Sequence, residues 1–310
     1  MRPPSCPICG SADILDLIPR VNDHITNDEF QVIRCRECGV SFTWPIPLDM
    51  NPYYPPEYRG YSGITKVLLR ALYSWRVGTW VRDAHPGDAL DVGCGRGLML
   101  DVLRRRGWRV TGVERNDAAA AYARNEFGLE VLAGDICDVP PERHFDLIVL
   151  FQVLEHMREP QKVLRECANR LKPGGRLIVG VPNVDSWQAR FAGRYWVHLD
   201  PPRHLFHFTP ASLGAAFERA GLVTSGVRFT SFEHDPFGWV QSCISKVTGR
   251  TNLFTRFLMG MEELSPLVVV DVVLATVLAL PAVVLAMVSW PAHRGALMEM
   301  QATTRGAMPL

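Results

Sequence analysis

The chain has 310 residues, a length that suggests about two domains. Hydrophobic residues make up 47% and charged residues 21%, and 33 Lys+Arg against 32 Asp+Glu leave a net charge of +1. That balance excludes a strongly basic nucleic-acid binder and an acidic disordered tail, while the charged share falls short of the roughly 25% of an average globular chain.

The N-terminus, Met1-Arg2-Pro3-Pro4-Ser5-Cys6-Pro7, has no apolar h-region, so no cleavable secretory signal is expected. A cytosolic setting follows, in which thiols stay reduced and the eight cysteines read as ligands or core residues. Four of them are paired, in Cys6-Pro7-Ile8-Cys9-Gly10 and Cys35-Arg36-Glu37-Cys38-Gly39. A two-residue gap lets both thiolates of a turn face one metal, and the following glycine permits φ > 0. Cys6, Cys9, Cys35 and Cys38 are therefore the expected ligands of a structural Zn²⁺, with redox or incidental pairs as the alternative. The 25-residue spacer exceeds the usual ribbon range of about 15–20 and has room for a hairpin, since Phe30 to Arg34 alternates like a strand. Cys94, Cys137, Cys167 and Cys243 read as core thiols.

Residues 45–61, with five prolines and four tyrosines, read as an irregular linker, and Ile64 to Asp83 as a helix. A strand–helix alternation begins at Leu90-Asp91-Val92. It continues with helix 98–106, strand 109–114, helix 117–127 capped by Asn116, and strand 130–133. Strand 145–151, helix 160–171 stopped by Lys172-Pro173-Gly174-Gly175, and strand 176–181 follow. A helix from Pro210 to Gly221 and strand 223–230 come next. This rhythm predicts an α/β fold with a doubly wound, Rossmann-like sheet. Beyond it, Leu267 to Trp290 holds 20 apolar residues in 24, with Asp271 its only charge. Without that block the hydrophobic share drops to roughly 44%, an ordinary soluble value.

The first strand turns into Gly93-Cys94-Gly95-Arg96-Gly97. Glycines there let the backbone approach a ligand over the strand's carboxyl end. The sixth position from Gly93 is Leu98, so the dinucleotide pattern G-x-G-x-x-G fails. Asp91, just before the loop, suits a ligand ammonium. Glu114 ends the second strand, where an acid accepts from both hydroxyls of a ribose. Asp135 ends the third, where an acid accepts from an adenine amino group. Each acid alone also reads as a strand-end cap; the three together with the loop point to one ligand.

This ordered set resembles the class I S-adenosylmethionine (SAM)-dependent methyltransferases over roughly residues 86–230. It runs through Gly112-Val113-Glu114, Gly134-Asp135, Phe145 to Val149, Val153-Leu154-Glu155-His156 and Leu171 to Leu177. The resemblance implies a seven-stranded sheet with an antiparallel last strand, placed at Ala296 to Thr303. It implies SAM contact by Asp91, Gly93, Cys94, Gly95, Gly97, Glu114, Asp135 and Ile136, and by the Phe151-Gln152 turn. The paired cysteines and Pro202 to Pro210 are similar to bacterial methyltransferases acting on sugars and cell-envelope polysaccharides. Quinone-biosynthesis O-methyltransferases share Glu155-His156. The expected domains are a zinc module over 1–44, a linker and leading helix over 45–85, and a SAM-dependent domain over 86–235 plus 295–305. An apolar insert occupies 236–294.

Methyl transfer to a hydroxyl or activated carbon needs a base, and neutral histidine serves at neutral pH. His156 and His204 are the candidates, each with a structural role as its alternative; His198 and His207 read as structural or exposed. The apolar block is long enough to span a bilayer, but Pro281 divides it and the sheet must resume after it. It reads as a helical hairpin or interfacial helix dipping into one leaflet, flanked by Arg250, Arg256 and Arg294 for anionic headgroups, with a buried helix pair or dimer interface and a single span as the alternatives. Asp271 must then face protein or the surface. The expected partners are a small or lipid-linked acceptor and a membrane surface, reached from the cytoplasm. RNA methylation and a non-catalytic zinc/membrane adaptor are the alternatives; the lack of a basic run argues against the first and the intact loop against the second.

Overall fold

The computed structural model describes residues 5–54 and 63–304. Met1 to Pro4, the linker residues Pro55, Pro56, Tyr58 and Tyr61, and residue 305 lie outside the described residues. In chain order the strands and helices open with β1 (Ile14–Asn22), β2 (Glu29–Cys35), β3 (Ser41–Trp44) and α1 (Gly63–Trp80). There follow β4 (Asp88–Val92), α2 (Leu98–Arg105), β5 (Arg109–Glu114), α3 (Asp117–Phe127), β6 (Glu130–Ala133), β7 (Phe145–Phe151) and α4 (Pro160–Arg170). Then come β8 (Leu171–Pro182), α5 (Trp187–Ala192), β9 (Phe206–His207), α6 (Pro210–Arg219) and β10 (Leu222–Arg228). The chain finishes with α7 (Asp235–Thr248), α8 (Leu253–Leu258), α9 (Pro266–Ser289) and β11 (Leu297–Thr304). These elements form two compact units.

One unit comprises residues 63–181, 214–227 and 299–304. Its seven-stranded sheet has the order β10-β11-β8-β7-β4-β5-β6. The five strands β8, β7, β4, β5 and β6 run parallel, so their carboxyl ends share one edge. Leu147, Ile148, Val149 and Leu150 of β7 are all buried, the unbroken apolar run of a strand covered on both faces. One core joins Val77 and Trp80 of α1 to Met99, Val102 and Leu103 of α2 and to the sheet. A second packs Leu100 against Ala120 and Ala123 of α3 and Val131 of β6. Asn116 caps α3 as the sequence predicts, accepting from Ala119 N at 2.9 Å. β8 starts at Leu171, earlier than predicted, because Lys172 to Gly175 bulge out between two paired stretches of one strand. The Lys172 ammonium bridges Asp88 and Asp146 at 2.5 and 2.7 Å. The predicted last strand is β11, seated between β10 and β8.

The other unit comprises residues 5–54, 182–213 and 228–298. Its four-stranded sheet has the order β1-β2-β3-β9, with all pairs antiparallel. The spacer between the cysteine pairs holds the β1–β2 hairpin, as its length predicts. Arg203 is wholly buried here. Its guanidinium donates to Asp23 Oδ1 and Asp200 Oδ1, both at 2.6 Å, and to the Tyr53 carbonyl at 3.1 Å. Asp23 in turn accepts from the N–H groups of Ile25 and Thr26, closing the turn after β1. Arg256 of α8 donates to the His24 carbonyl.

In the same unit α9 lies along α7. Leu274, Ala275, Leu278, Ala282 and Ala286 pack on Trp239, Val240 and Ile244. Ser265 caps the helix and Pro266 opens it. Pro281 does not divide it: α9 is one helix of 24 residues, which corrects the expected hairpin of two pieces. Pro281 sits on the exposed side, and the packing of Leu278 and Ala282 on either side of it offsets the missing N–H bond. Asp271 faces protein, fully buried and paired with Arg250. Each of the three flanking arginines pairs with a carboxylate: Arg250 with Asp271, Arg256 with Glu262 and Arg294 with Asp185. The buried carboxyl of Asp235 accepts from Trp290 Nε1 at 2.7 Å and from Ala296 and Leu297 N–H, fastening the connection that leaves α9. Of the four presumed core thiols, Cys94 and Cys167 are buried and Cys243 is half-buried. Cys137 is exposed: in its 3-10 turn Ile136 takes the buried side and Cys137 faces outward.

Arg203→Met leaves Asp23 and Asp200 buried without their cation and should cost about 3–5 kcal/mol, read by urea denaturation. Arg203 and His24 hold the Asp200 carboxyl far below its ordinary range. Its stabilisation is therefore complete above about pH 4 and lost as pH falls below that value. The wild-type protein should show this acid loss and the variant should not.

Candidate active site and four-cysteine centre

The parallel strands bring the ten predicted cofactor residues to one sheet edge. Asp91 lies in β4, and the loop from Gly93 to Gly97 carries it into α2. Gly93, Gly95 and Gly97 all have positive φ, at 71°, 54° and 77°. They serve different ends. A Cβ on Gly97 would meet Leu129 Cδ1 at 2.7 Å and Ala123 Cβ at 2.8 Å, so this glycine lets α2 start against α3. A Cβ on Gly95 would meet nothing within 4 Å, so this glycine faces open space above the strand ends. The Cys94 side chain turns inward, packed beside Leu100 and Gly112, and only its backbone belongs to the loop surface.

Glu114 closes β5 and is buried. One carboxylate oxygen accepts from Gly95 N–H and the other from Asn116 N–H, both at 2.8 Å. This carboxylate thus ties the glycine loop to the neighbouring strand end, and each oxygen has a second lone pair for a hydroxyl donor. Burial, with the nearby Glu114 charge, pushes the Asp91 carboxyl up to about 8. Asp135 follows β6, caps the turn through Cys137 N–H, and pairs with Arg115 at 2.7 Å. The Ile136 side chain is buried.

At the end of β7, Gln152 has φ of 57° and donates its N–H to the Gly180 carbonyl at 2.8 Å. The Phe151 ring leans toward α1, with Tyr73 at 6.2 Å, Trp80 at 6.0 Å and the Arg76 guanidinium carbon 4.6 Å above it. Arg76 pairs with Glu299 of β11, and Trp80 Nε1 donates to the same carboxylate at 2.7 Å. His156 ends a short turn after β7. Its neighbour Glu155, which the motif reading passed over as a site residue, is fully buried, and neither oxygen has a hydrogen-bond partner among the described residues. Burial pushes its carboxyl up to about 8. The sequence signal for it was a carboxylate inside an otherwise apolar Val153-Leu154 turn.

His204 belongs to the other unit. It is buried, and its Nδ1 donates to the His198 carbonyl at 2.8 Å, which leaves Nε2 as the ring's lone-pair atom. Burial lowers its pKa, so the ring is neutral at pH 7. His207 Nε2 meets Thr43 Oγ1 at 3.0 Å. Burial pushes the pKa values of both His207 and His198 down to about 3.

Cys6, Cys9, Cys35 and Cys38 converge, with all four sulfurs within 4.8 Å of one another. Cys6 and Cys38 are 3.7 Å apart, and Cys9 and Cys35 3.5 Å. A tetrahedral zinc with Zn–S of about 2.3 Å requires S···S of roughly 3.8 Å. The donor set fits Zn²⁺. Ile8 N–H points at the Cys6 sulfur at 3.4 Å, and Gly10 and Gly39 close the two turns at positive φ.

A protein-family model described as Methyltransferase domain matches residues 66–225, just over half of the chain. The chain belongs to the methyltransferase-domain family. The glycine loop and the strand-end acids lie within the matched residues. The methyltransferase is similar to the ubiquinone biosynthesis O-methyltransferase of Stutzerimonas stutzeri (strain A1501). The two are 30% identical over 151 residues, 44% of this chain and 65% of the relative. The protein of the same name from Pseudomonas syringae pv. tomato is 33% identical over 147 residues, 43% of this chain and 63% of the relative. The match thus spans just under two thirds of these relatives' length. A SAM-dependent methyltransferase structure from Archaeoglobus fulgidus covers 75% of this chain and 93% of its own, at 17% identity and a TM-score of 0.49.

The two loop glycines give a paired prediction. Gly95→Ala should fold within about 1–2 kcal/mol of the parent, because its methyl enters open space, yet weaken SAM binding at least tenfold. Gly97→Ala should cost about 2–4 kcal/mol, since its methyl overlaps Leu129 and Ala123. Denaturation and titration calorimetry on both variants check this contrast.

Proposed function

We propose that this methyltransferase methylates a hydroxyl on an acceptor with a long apolar tail, of the quinone-precursor or lipid-borne glycan kind, at a membrane surface. The observation that carries the reading is the outer face of α9. The helix is about 36 Å long at 1.5 Å per residue. Val273, Val277, Leu280, Val284, Met287 and Val288 are each more than half exposed, and no charge lies among them. With their exposed neighbours they make an apolar surface on the order of 1,000 Å², against the few hundred Å² usual for a soluble monomer. By length and composition the helix suffices to cross a membrane. Its inner face packs on α7, with Phe254 of α8 in the same cluster, and its single carboxylate is paired inward. A helix covered on one side and apolar on the other suits an in-plane position in one leaflet. The names of the Stutzerimonas and Pseudomonas relatives favour oxygen as the methylated atom and a quinone-pathway compound as the acceptor class.

SAM, when bound, supplies an electrophilic methyl group on a sulfonium, and the protein supplies alignment and proton transfer. In this reading the open space at Gly95 receives the cofactor, Asp91 takes its ammonium, Glu114 its ribose hydroxyls and Asp135 its adenine amino group. Ionised Asp91 is needed for the ammonium, so cofactor binding releases a proton below pH 8. His204 Nε2 accepts the acceptor hydroxyl's proton as the oxygen–methyl bond forms. Its Nδ1–H bond to the His198 carbonyl selects the tautomer with its lone pair at Nε2. His156 is the second candidate for that role.

SAM affinity should rise about tenfold per pH unit up to about pH 8, and Asp91→Asn should abolish that slope. Calorimetry in buffers of different ionisation enthalpy counts the proton. His204→Gln should lower turnover 10²- to 10⁴-fold with SAM binding intact. Because burial lowers the His204 pKa, wild-type turnover at saturating SAM should persist as pH falls through 6.5. With [methyl-³H]SAM and bacterial membranes, label should enter the lipid-extractable fraction; label confined to aqueous products would defeat the acceptor reading. The protein should float with neutral phosphatidylcholine vesicles, in 1 M NaCl as at low salt, since its flanking arginines are already paired. Flotation that needs anionic lipid would overturn that mode of attachment.

A further inference from the structure

We propose that the four-cysteine module sets the loop that carries His204, with Thr43 as the positioning residue. The inference rests on the functional reading above only for the role of His204; the structural coupling stands on its own contacts.

β9 is two residues long, too short to hold its own geometry. It is paired to β3, with Ser41 opposite His207 and Phe42 opposite Phe206. Thr43, fully buried in β3, makes three further contacts with the loop. Its N–H donates to the Leu205 carbonyl at 2.9 Å. Its hydroxyl donates to the His204 carbonyl at 2.8 Å and meets His207 Nε2 at 3.0 Å. The backbone on both sides of His204 is also fixed. Arg203 is held by Asp23 and the Tyr53 carbonyl, both from the module's stretch of chain.

The metal site acts directly on β3. Cys35 and Cys38 form the second turn of the site, and Cys35 N–H donates to the Val40 carbonyl at 2.9 Å. Ser41 is only three residues past Cys38. A module of about 50 residues has little apolar core of its own, and bound metal contributes directly to its folding. Its cluster of Val21, Phe30, Val32 and Tyr53 is completed by Trp196 and Leu199, which precede the histidine loop. Metal loading therefore orders β3, β3 templates residues 204–207, and the His204 ring receives its orientation and its Nδ1–H bond.

The test uses the full chain, zinc-loaded or stripped by chelation, together with Thr43→Val and Thr43→Ser. Hydrogen exchange should speed at least tenfold at amides 203–208 on zinc removal, while β4 and β7 amides and SAM affinity stay unchanged. The ¹⁵N signature of the His204 Nδ1–H tautomer should be lost in the zinc-free protein and in Thr43→Val, and be restored in Thr43→Ser. Unchanged exchange at 203–208 without zinc would overturn the proposal. So would a His204 tautomer signature indifferent to Thr43→Val. If both readouts move as expected but His204→Gln leaves turnover intact, the base assignment falls and the positioning claim stands.

Discussion

A guanidinium buried between two carboxylates fixes more than its own position. Arg203 joins the turn after β1, the chain at Tyr53 and the segment from Asp200 onward at one point from which water is excluded. Each partner alone would be a costly buried charge, so the three stretches are stable only together. His24 and Arg256 extend the constraint to α8. The histidine-bearing loop thus inherits its shape from a network whose other members lie far away in sequence. That dependence explains why a loop with a two-residue strand keeps a defined backbone.

The sheet edge of the other unit follows a different logic, of space left open and space filled. Three glycines in five residues share a left-handed backbone and face different surroundings. The Gly93 position abuts Val153, Gly97 abuts α3, and Gly95 faces solvent. Glu114 ties the middle glycine to the next strand, so a hydrogen bond within the protein holds the loop in place. A loop held in this way lowers the ordering cost of binding. Asp91 and Glu114 are two carboxylates in one apolar floor, and only one needs to be ionised without a cation present. The raised pKa of Asp91 reflects that economy.

Local signals made much of this legible. The cysteine spacing, the Asn116 cap, the glycine loop and the strand-end acids are short-range patterns, and the structure has the capped helix, the turns and the clustered sulfurs at those positions. The strand after Trp290 was legible because the sheet needed it. What was not legible depends on tertiary partners. Pro281 reads as a breaker until α7 supplies packing on both sides of it. The carboxylate partners of Arg250, Arg256 and Arg294 are not legible locally, and Asp185 is more than a hundred residues from Arg294. Arg203 sat in a quoted motif without a role, because nothing local pairs it with Asp23. Cys137 read as a core thiol from its apolar neighbours, but its turn buries Ile136 and leaves Cys137 exposed.

The inward pairing of Asp271 bears on how the chain is made as well as on how it works. Until α7 and the Arg250 segment have folded, α9 is a bare run of apolar residues of the kind that insertion machinery threads across a bilayer. An unpaired aspartate near its start opposes threading by about 2.5–3.5 kcal/mol at the helix centre and less toward the ends. Once Arg250 is in place that opposition becomes a tether, and the helix has only one face to offer. A single carboxylate thus fixes which side of α9 turns inward and which is left exposed.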